Sequence, residues 1–362
     1  MLALGLMSGT SLDGVDAALV ETDGETVSYR GAWLTLPYSP EQRVRLRSVL
    51  GGRGDVIGAG RDLTQAHAEA VRLLLAKAGV AASAVDVIGF HGQTILHRPE
   101  ERRTWQIGDG ALLAAETGIT VVNDFRSADV AAGGQGAPLV PAYHRALAAG
   151  LERPLAVLNL GGVGNVTWIG DGGGLLAFDT GPGNALIDDW ALAHTGWPVD
   201  EDGRLAAAGT ADQAQVEAFC RHPYFQRTAP KSLDRDDFAA FAHGLVERLS
   251  PADGAATLTA FTAASVALAS GHFPAAPMRW LVCGGGRHNP VLMAALGQVL
   301  AGVVEPVEAV GWDGDAIEAQ AFAFLAVRAL RGLAFTYPET TGAPTPQGGG
   351  QIYSPTRGRG VP

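Results

Sequence analysis

The segment Ser8-Gly9-Thr10-Ser11-Leu12-Asp13-Gly14 gathers hydroxyls, glycines and one carboxylate into a single turn. Successive backbone N–H groups in such a turn can form a nest for an anion. Asp13 would repel a phosphate unless a divalent cation lay between them, so the combination points to phosphate with Mg²⁺. A plain hairpin turn has the same composition. No Gly-Lys-Ser/Thr follows, and no helix pattern follows directly, which excludes a P-loop and a Rossmann fingerprint here. Two further glycine loops leave apolar strands: Gly161-Gly162-Val163-Gly164-Asn165 and Cys283-Gly284-Gly285-Gly286. The first would admit a ligand close to the backbone, and the second would let a flat group such as adenine lie over it. Each also reads as a tight turn. Together with the first loop they suit one nucleotide held between two domains.

Phe178-Asp179-Thr180-Gly181-Pro182-Gly183-Asn184 carries the candidate catalytic carboxylate. Asp179 ends an apolar strand just ahead of a helix, and strand ends in open α/β sheets face the ligand crevice. A rigidly held carboxylate there suits a general base acting on a hydroxyl or water. The competing reading is a turn in which Asp179 caps the amides of Gly181 or Gly183. His91-Gly92-Gln93-Thr94 and Asn123-Asp124-Phe125-Arg126 each follow an apolar strand. Gln93 and Thr94 could bond sugar hydroxyls, and the planar fork of Arg126 matches a carboxylate. His91 fits a satisfied core histidine equally, and Arg126 an ordinary ion pair. Asp315 and Glu318 have capping-box spacing, with a metal- or water-binding role for Glu318 as the alternative.

The elements that must position these groups form a pattern. Leu2 to Glu21 and Leu155 to Ile169 both read as strand, small-residue turn, strand. Further strands are expected over 85–90, 119–122, 175–178 and 280–283, and helices over 62–78, 136–149, 184–194, 233–249, 255–271 and 315–331. The two similar hairpins suggest a duplicated α/β unit. The 25 residues from Pro338 to Pro362 are rich in Pro, Gly and Thr and read as a tail, with Ile352-Tyr353 as a docking point.

The chain has 362 residues and a net charge of −11, which argues against nucleic acid and anionic membrane as partners. Gly contributes 49 residues, yet 47 % of the chain is hydrophobic, so a core can form and the glycines need a local explanation. The two cysteines, Cys220 and Cys283, make no disulfide framework and fit a reducing compartment. The apolar start is short for a signal peptide, and the uncharged stretch 255–271 falls short of the roughly 20 residues of a membrane span. A buried helix and a cytoplasmic location are the expectation.

Met7-Ser8-Gly9-Thr10-Ser11-Leu12-Asp13-Gly14-Val15-Asp16, Gly89-Phe90-His91-Gly92-Gln93-Thr94, Asn123-Asp124-Phe125-Arg126, the run 132–141, Asn159-Leu160-Gly161-Gly162, Phe178 to Asn184 and Cys283 to Gly286 together resemble anhydro-N-acetylmuramic acid kinases. The resemblance runs in order from residue 4 to about residue 343. It implies two α/β domains of ribonuclease-H-like topology, of the sugar kinase, heat-shock and actin type, with an ATP cleft between them. Residues 1–128 would form one domain and 129–362 the other. It places ATP at Gly9, Thr10, Ser11, Leu12, Asp13, Gly14, Val15 and Asp16, with Gly161, Gly162, Asn165, Gly284, Gly285 and Gly286. It places the sugar at Gln93, Thr94, Asn123 and Arg126, the base at Asp179, and Mg²⁺ near Asp13 and Glu318. The implied phosphotransferase opens 1,6-anhydro-N-acetylmuramic acid with water and phosphorylates its O6, in peptidoglycan recycling, as a cytoplasmic homodimer. Residues 347–362 fit no part of the resemblance. An actin- or chaperone-like ATPase would share the phosphate loops but need no sugar groups, and a glycosidase would need a second catalytic carboxylate.

Overall fold

The computed structural model describes residues 1–9, 11–233 and 237–355. The chain divides into two compact units: Met1–Gly150 with the stretch from Asp315 onward, and Leu151–Gly314. The expected boundary after residue 128 therefore falls inside the first unit, and the end of the chain returns to that unit rather than to the second.

In the first unit, β1 (Leu2–Ser8), β2 (Gly14–Thr22) and β3 (Val27–Pro37) form an antiparallel meander. β4 (Val87–Arg98) and β6 (Val121–Asn123) then add in parallel beside β1, and β5 (Arg103–Ile107) pairs with β4 as a hairpin. In the second unit, β7 (Leu155–Leu160), β8 (Val163–Ile169) and β9 (Leu175–Pro182) repeat the meander. β10 (Arg279–Cys283) and β11 (Val303–Pro306) repeat the parallel additions beside β7. Each sheet runs from the third strand of its meander through the second and first to the two parallel strands: β3-β2-β1-β4-β6 in the first and β9-β8-β7-β10-β11 in the second. The duplicated α/β unit suggested by the two hairpins is thus present, as is the repeated topology that the family resemblance implies.

The first sheet is covered on both faces, which is why its strands read as continuous apolar runs. Side chains alternate across a strand. Leu4, Leu6, Val15, Ala17 and Leu19 face the core that holds Leu63, Val71 and Leu74 of the helix Val56–Ala78. On the other face Ala18 packs with Ala316 and Ala319, at and beside the start of the helix Ile317–Leu330. Gly5 and Gly89 are register partners on neighbouring strands beneath that helix. A Cβ on Gly5 would collide with the Ala319 carbonyl, and one on Gly89 with the Phe322 carbonyl. Part of the glycine excess therefore lets a helix lie directly on a sheet.

The 255–271 stretch lies in the helix Pro251–Ser270, the one helix among the described residues long and apolar enough to cross a membrane. Most of it is buried, with Phe261 wholly enclosed and stacked on Phe219 at 4.2 Å between ring centroids. The tail also differs from expectation. Residues Gln351–Tyr353 form β12, antiparallel to β6, with Gln351 opposite Asn123. Ile352-Tyr353 is thus a docking point, while residues 356–362 lie outside the described residues.

Candidate active site

In the first unit the loop after β1 begins at Gly9; Thr10 lies outside the described residues. Leu12 adopts a left-handed conformation (φ 56°) and its N–H donates to Gly9 O at 3.2 Å. Leu12 and Val15 bury their side chains in the core, so only their backbone is open to a ligand. Ser11 and Asp13 are exposed, and Ser11 Oγ donates to Asp13 Oδ1 at 2.9 Å. Ser8, beneath the loop, is buried: it shares a hydrogen bond with Tyr38 Oη at 2.8 Å and donates to Gln93 Oε1 at 2.6 Å. Gln93 is wholly buried. Gln93, expected at the sugar, is joined through this bond to Ser8 at the start of the loop.

Asp16, on β2, accepts from Thr35 Oγ1 at 2.5 Å. Burial pushes its carboxyl up to about 6, and the charges of Asp13, Glu318 and Asp315 push the same way. An excess of carboxylate oxygen of this kind suits a hard divalent cation. Among the described residues no three His, Cys, Asp or Glu side chains converge as a complete protein-built metal site. The Asp315–Glu318 capping box does not form: the helix starts at Ile317 with Ala316 at its N-cap, so Glu318 is not needed there.

Asn123 ends β6, and Arg126 precedes the short helix Ser127–Ala132. Thr94 lies on β4, where its Oγ1 accepts from Gln106 Nε2 at 3.1 Å. Between Asn123 and Arg126, Asp124 takes a left-handed conformation (φ 56°), held by Gln351 Nε2 and Ser127 N on its carboxylate. The loop after β1 and the residues Asn123 to Arg126 thus follow the carboxyl ends of the two strands that flank β4 in parallel, where open α/β sheets bind ligands.

The second unit repeats this arrangement. Strand β9 runs on to Pro182, so Asp179 sits within the strand, not at its end, opposite Asn165 on β8. Its carboxylate accepts from Leu233 N at 2.8 Å rather than capping Gly181 or Gly183. Its backbone is pinned as well: Asp179 N donates to Lys231 O at 2.9 Å, and Tyr224 Oη donates to Asp179 O at 2.6 Å. Burial pushes the Asp179 carboxyl up to about 7, opposed by the Leu233 N–H. The Lys231 ammonium is also buried, donating to Tyr224 O at 3.3 Å, and desolvation lowers it to about 8.

The glycine loops of this unit converge at Asn184, five residues beyond Asp179. Gly183 N donates to Gly162 O at 3.0 Å, and Asn184 N to Gly161 O at 2.7 Å. Gly284 has positive φ (74°), and a Cβ there would meet Asn159 and the Leu160 carbonyl. Asn184 Nδ2 donates to that same carbonyl at 2.9 Å. Gly286 abuts Leu160 and Asn184, and Gly285 faces Asn184 Nδ2. Asn184, the residue before the helix Ala185–Thr195, therefore ties all three glycine segments together.

A family model described as anhydro-N-acetylmuramic acid kinase matches residues 1–355. The chain belongs to this family. It is 70 % identical over 355 residues to the anhydro-N-acetylmuramic acid kinase of Paramagnetospirillum magneticum, covering 98 % of this chain and all of the relative. It is 61 % identical to that of Rhodospirillum rubrum, covering 97 % and 94 %. Similar solved structures include an activator of 2-hydroxyisocaproyl-CoA dehydratase from Clostridium difficile with bound ADPNP (TM-score 0.48, 13 % identity, 92 % of this chain and 97 % of that one). A ROK family glucokinase from Streptomyces griseus in complex with glucose and AMPPNP is another (TM-score 0.42, 14 % identity, 90 % and 99 %). Family membership decides for an anhydro-sugar kinase using ATP over the ATPase and glycosidase readings. Sequence reasoning alone did not find Tyr38, Tyr224, Lys231 or Leu233. Each acts across 30 or more residues of chain, and Leu233 contributes only a backbone N–H, which no motif records.

Proposed function

We propose that this kinase opens 1,6-anhydro-N-acetylmuramic acid with water and transfers the γ-phosphoryl group of ATP to the freed O6. Asp179 is the general base. The observation that carries this reading is the Asp179 carboxylate, fixed by the Leu233 N–H, raised to about 7 by burial and standing opposite Asn165 on the neighbouring strand. The bridged sugar has no O6–H to deprotonate, so the base must act on water. Asp179 takes a proton from water as the water oxygen attacks C1. The C1–O6 bond breaks, and O6 attacks the γ-phosphorus, giving N-acetylmuramic acid 6-phosphate and ADP.

In this reading the Gly9–Asp16 segment receives phosphates. Gly161, Gly162, Asn165 and Gly284–Gly286 receive the rest of the nucleotide. Thr94, Asn123 and Arg126 receive the sugar, with Arg126 on the lactyl carboxylate. Asp13 and Glu318 would hold Mg²⁺, directly or through water, with Asp16 beside them. Bound there, the ion would neutralise phosphate charge, as phosphoryl transfer requires. A cytoplasmic homodimer acting in peptidoglycan recycling completes the proposal.

The test is a coupled ADP-release assay with the anhydro sugar, using N-acetylmuramic acid as the control. Turnover with the anhydro sugar is expected; turnover only with another hydroxy sugar would overturn the substrate assignment. The same assay read against pH tests the base. Asp179 works only when ionised, so kcat/KM should rise with pH through a limb near 7 and level off above it. A limb near 4, the ordinary carboxyl value, would contradict the assignment.

A further inference from the structure

Arg126 is held by neutral groups. Its Nε and Nη2 both donate to His91 Nε2, at 3.2 and 3.0 Å, and its Nη1 donates to Gly136 O at 2.7 Å. Glu318 and Asp129 act on it only through their charge. Asp129 is itself engaged, accepting from Gly136 N, Thr336 Oγ1 and Thr341 Oγ1. Among the described residues these are the partners of the guanidinium, and its remaining two N–H groups can serve a ligand.

The state of His91 follows from its partners. Nδ1 lies 2.8 Å from Gly92 O, which can only accept, so the proton is on Nδ1. Nε2 then presents its lone pair to the guanidinium. A proton on Nε2 would set two donors face to face. The ring is 4 % exposed and packs on Phe322 at 4.7 Å. Burial first, then the Arg126 charge, holds the imidazole well below its ordinary value; His67 lowers it further through charge, while hydrogen bonds to the Gly92 and Ser8 backbone oppose the shift.

We propose that His91 is the positioning residue for Arg126, orienting the guanidinium toward an incoming carboxylate without neutralising it. A carboxylate in place of His91 would hold the fork as firmly, but it would satisfy the charge that the ligand needs. A neutral imidazole fixes direction and leaves the charge. Ordering the long side chain before the ligand arrives also removes that ordering cost from binding. This inference rests on the reading of Arg126 as the partner of the lactyl carboxylate.

Three variants test it: His91→Leu removes the acceptor, His91→Glu supplies a charged one, and His91→Gln supplies a neutral one. Leu and Glu should raise KM for the anhydro sugar about tenfold, and Gln should recover most of the loss. KM for ATP and kcat should change less than about threefold in all three. With 1,6-anhydro-N-acetylglucosamine, which lacks the lactyl group, none of the three should move KM. An unchanged KM in His91→Leu, or an equal rise in all three variants, would overturn the role. Equal handling of the two sugars by the unaltered enzyme would overturn the carboxylate reading of Arg126 instead. Nitrogen-15 NMR of the unaltered protein tests His91 without any variant: Nδ1 should stay protonated and Nε2 bare from about pH 8 down to about 5. An imidazolium, or a proton on Nε2, in that range would overturn the proposal.

Discussion

Replacing Asp179 by Asn is expected to lower kcat about 10³-fold, within the range of a lost general base. The amide oxygen of Asn can still accept from Leu233 N, so the local backbone keeps its bond. Tyr224 Oη and the Lys231 carbonyl hold the Asp179 backbone rather than its side chain, so they are unaffected. ATP affinity and thermal stability should therefore stay close to those of the unaltered chain. The residual rate should lose its limb near pH 7, because the titrating group is gone. Near-normal turnover, or a retained limb, would remove Asp179 from the chemistry. Loss of ATP binding would show that the carboxylate supports the glycine loops instead.

A valine at Gly89 is expected to have the largest effect on stability. The side chain would run into the carbonyl of Phe322 on the helix Ile317–Leu330, and backbone cannot rotate aside as a side chain can. Gly5, its register partner, faces the same helix at Ala319, so neighbouring strands offer no space to shift into. Overpacking of a rigid core costs about 1–3 kcal/mol, and a collision with backbone belongs at or beyond the upper end. For a unit of this size that lowers Tm by roughly 10 °C or more. Calorimetry checks this, and a shift under about 2 °C would mean that the helix can lift from the sheet at little cost.

The glycines show what the sequence made legible and what it did not. Gly161 and Gly284 are readable as loops because each follows an apolar strand. Gly5 and Gly89 are not, because their reason is a helix more than 200 residues away. All three strands of the second unit's meander are legible, but only two of the first: β3 alternates poorly and lies mostly at intermediate exposure. The motif around Asp179 stands out in the sequence, but its strand reads as ending near Phe178, because Gly181 and Pro182 resemble a turn. Gln93 and His91 were adjacent in one motif, yet β4 turns both inward, one to Ser8 and the other to Arg126. Side-chain direction of that kind depends on pairing partners, which spacing along one strand does not encode. The return of the tail as β12 was hidden for the same reason, since a three-residue strand takes its register from β6.

The central claim is that water attacks C1 while O6 receives the phosphoryl group. Turnover in ¹⁸O-labelled water, stopped before the reducing sugar exchanges its anomeric oxygen, tests this directly by mass spectrometry. The expected product carries one ¹⁸O at C1, with none in the 6-phosphate and none in ADP. Label in released inorganic phosphate, or a sugar phosphate unlabelled at C1, would contradict it.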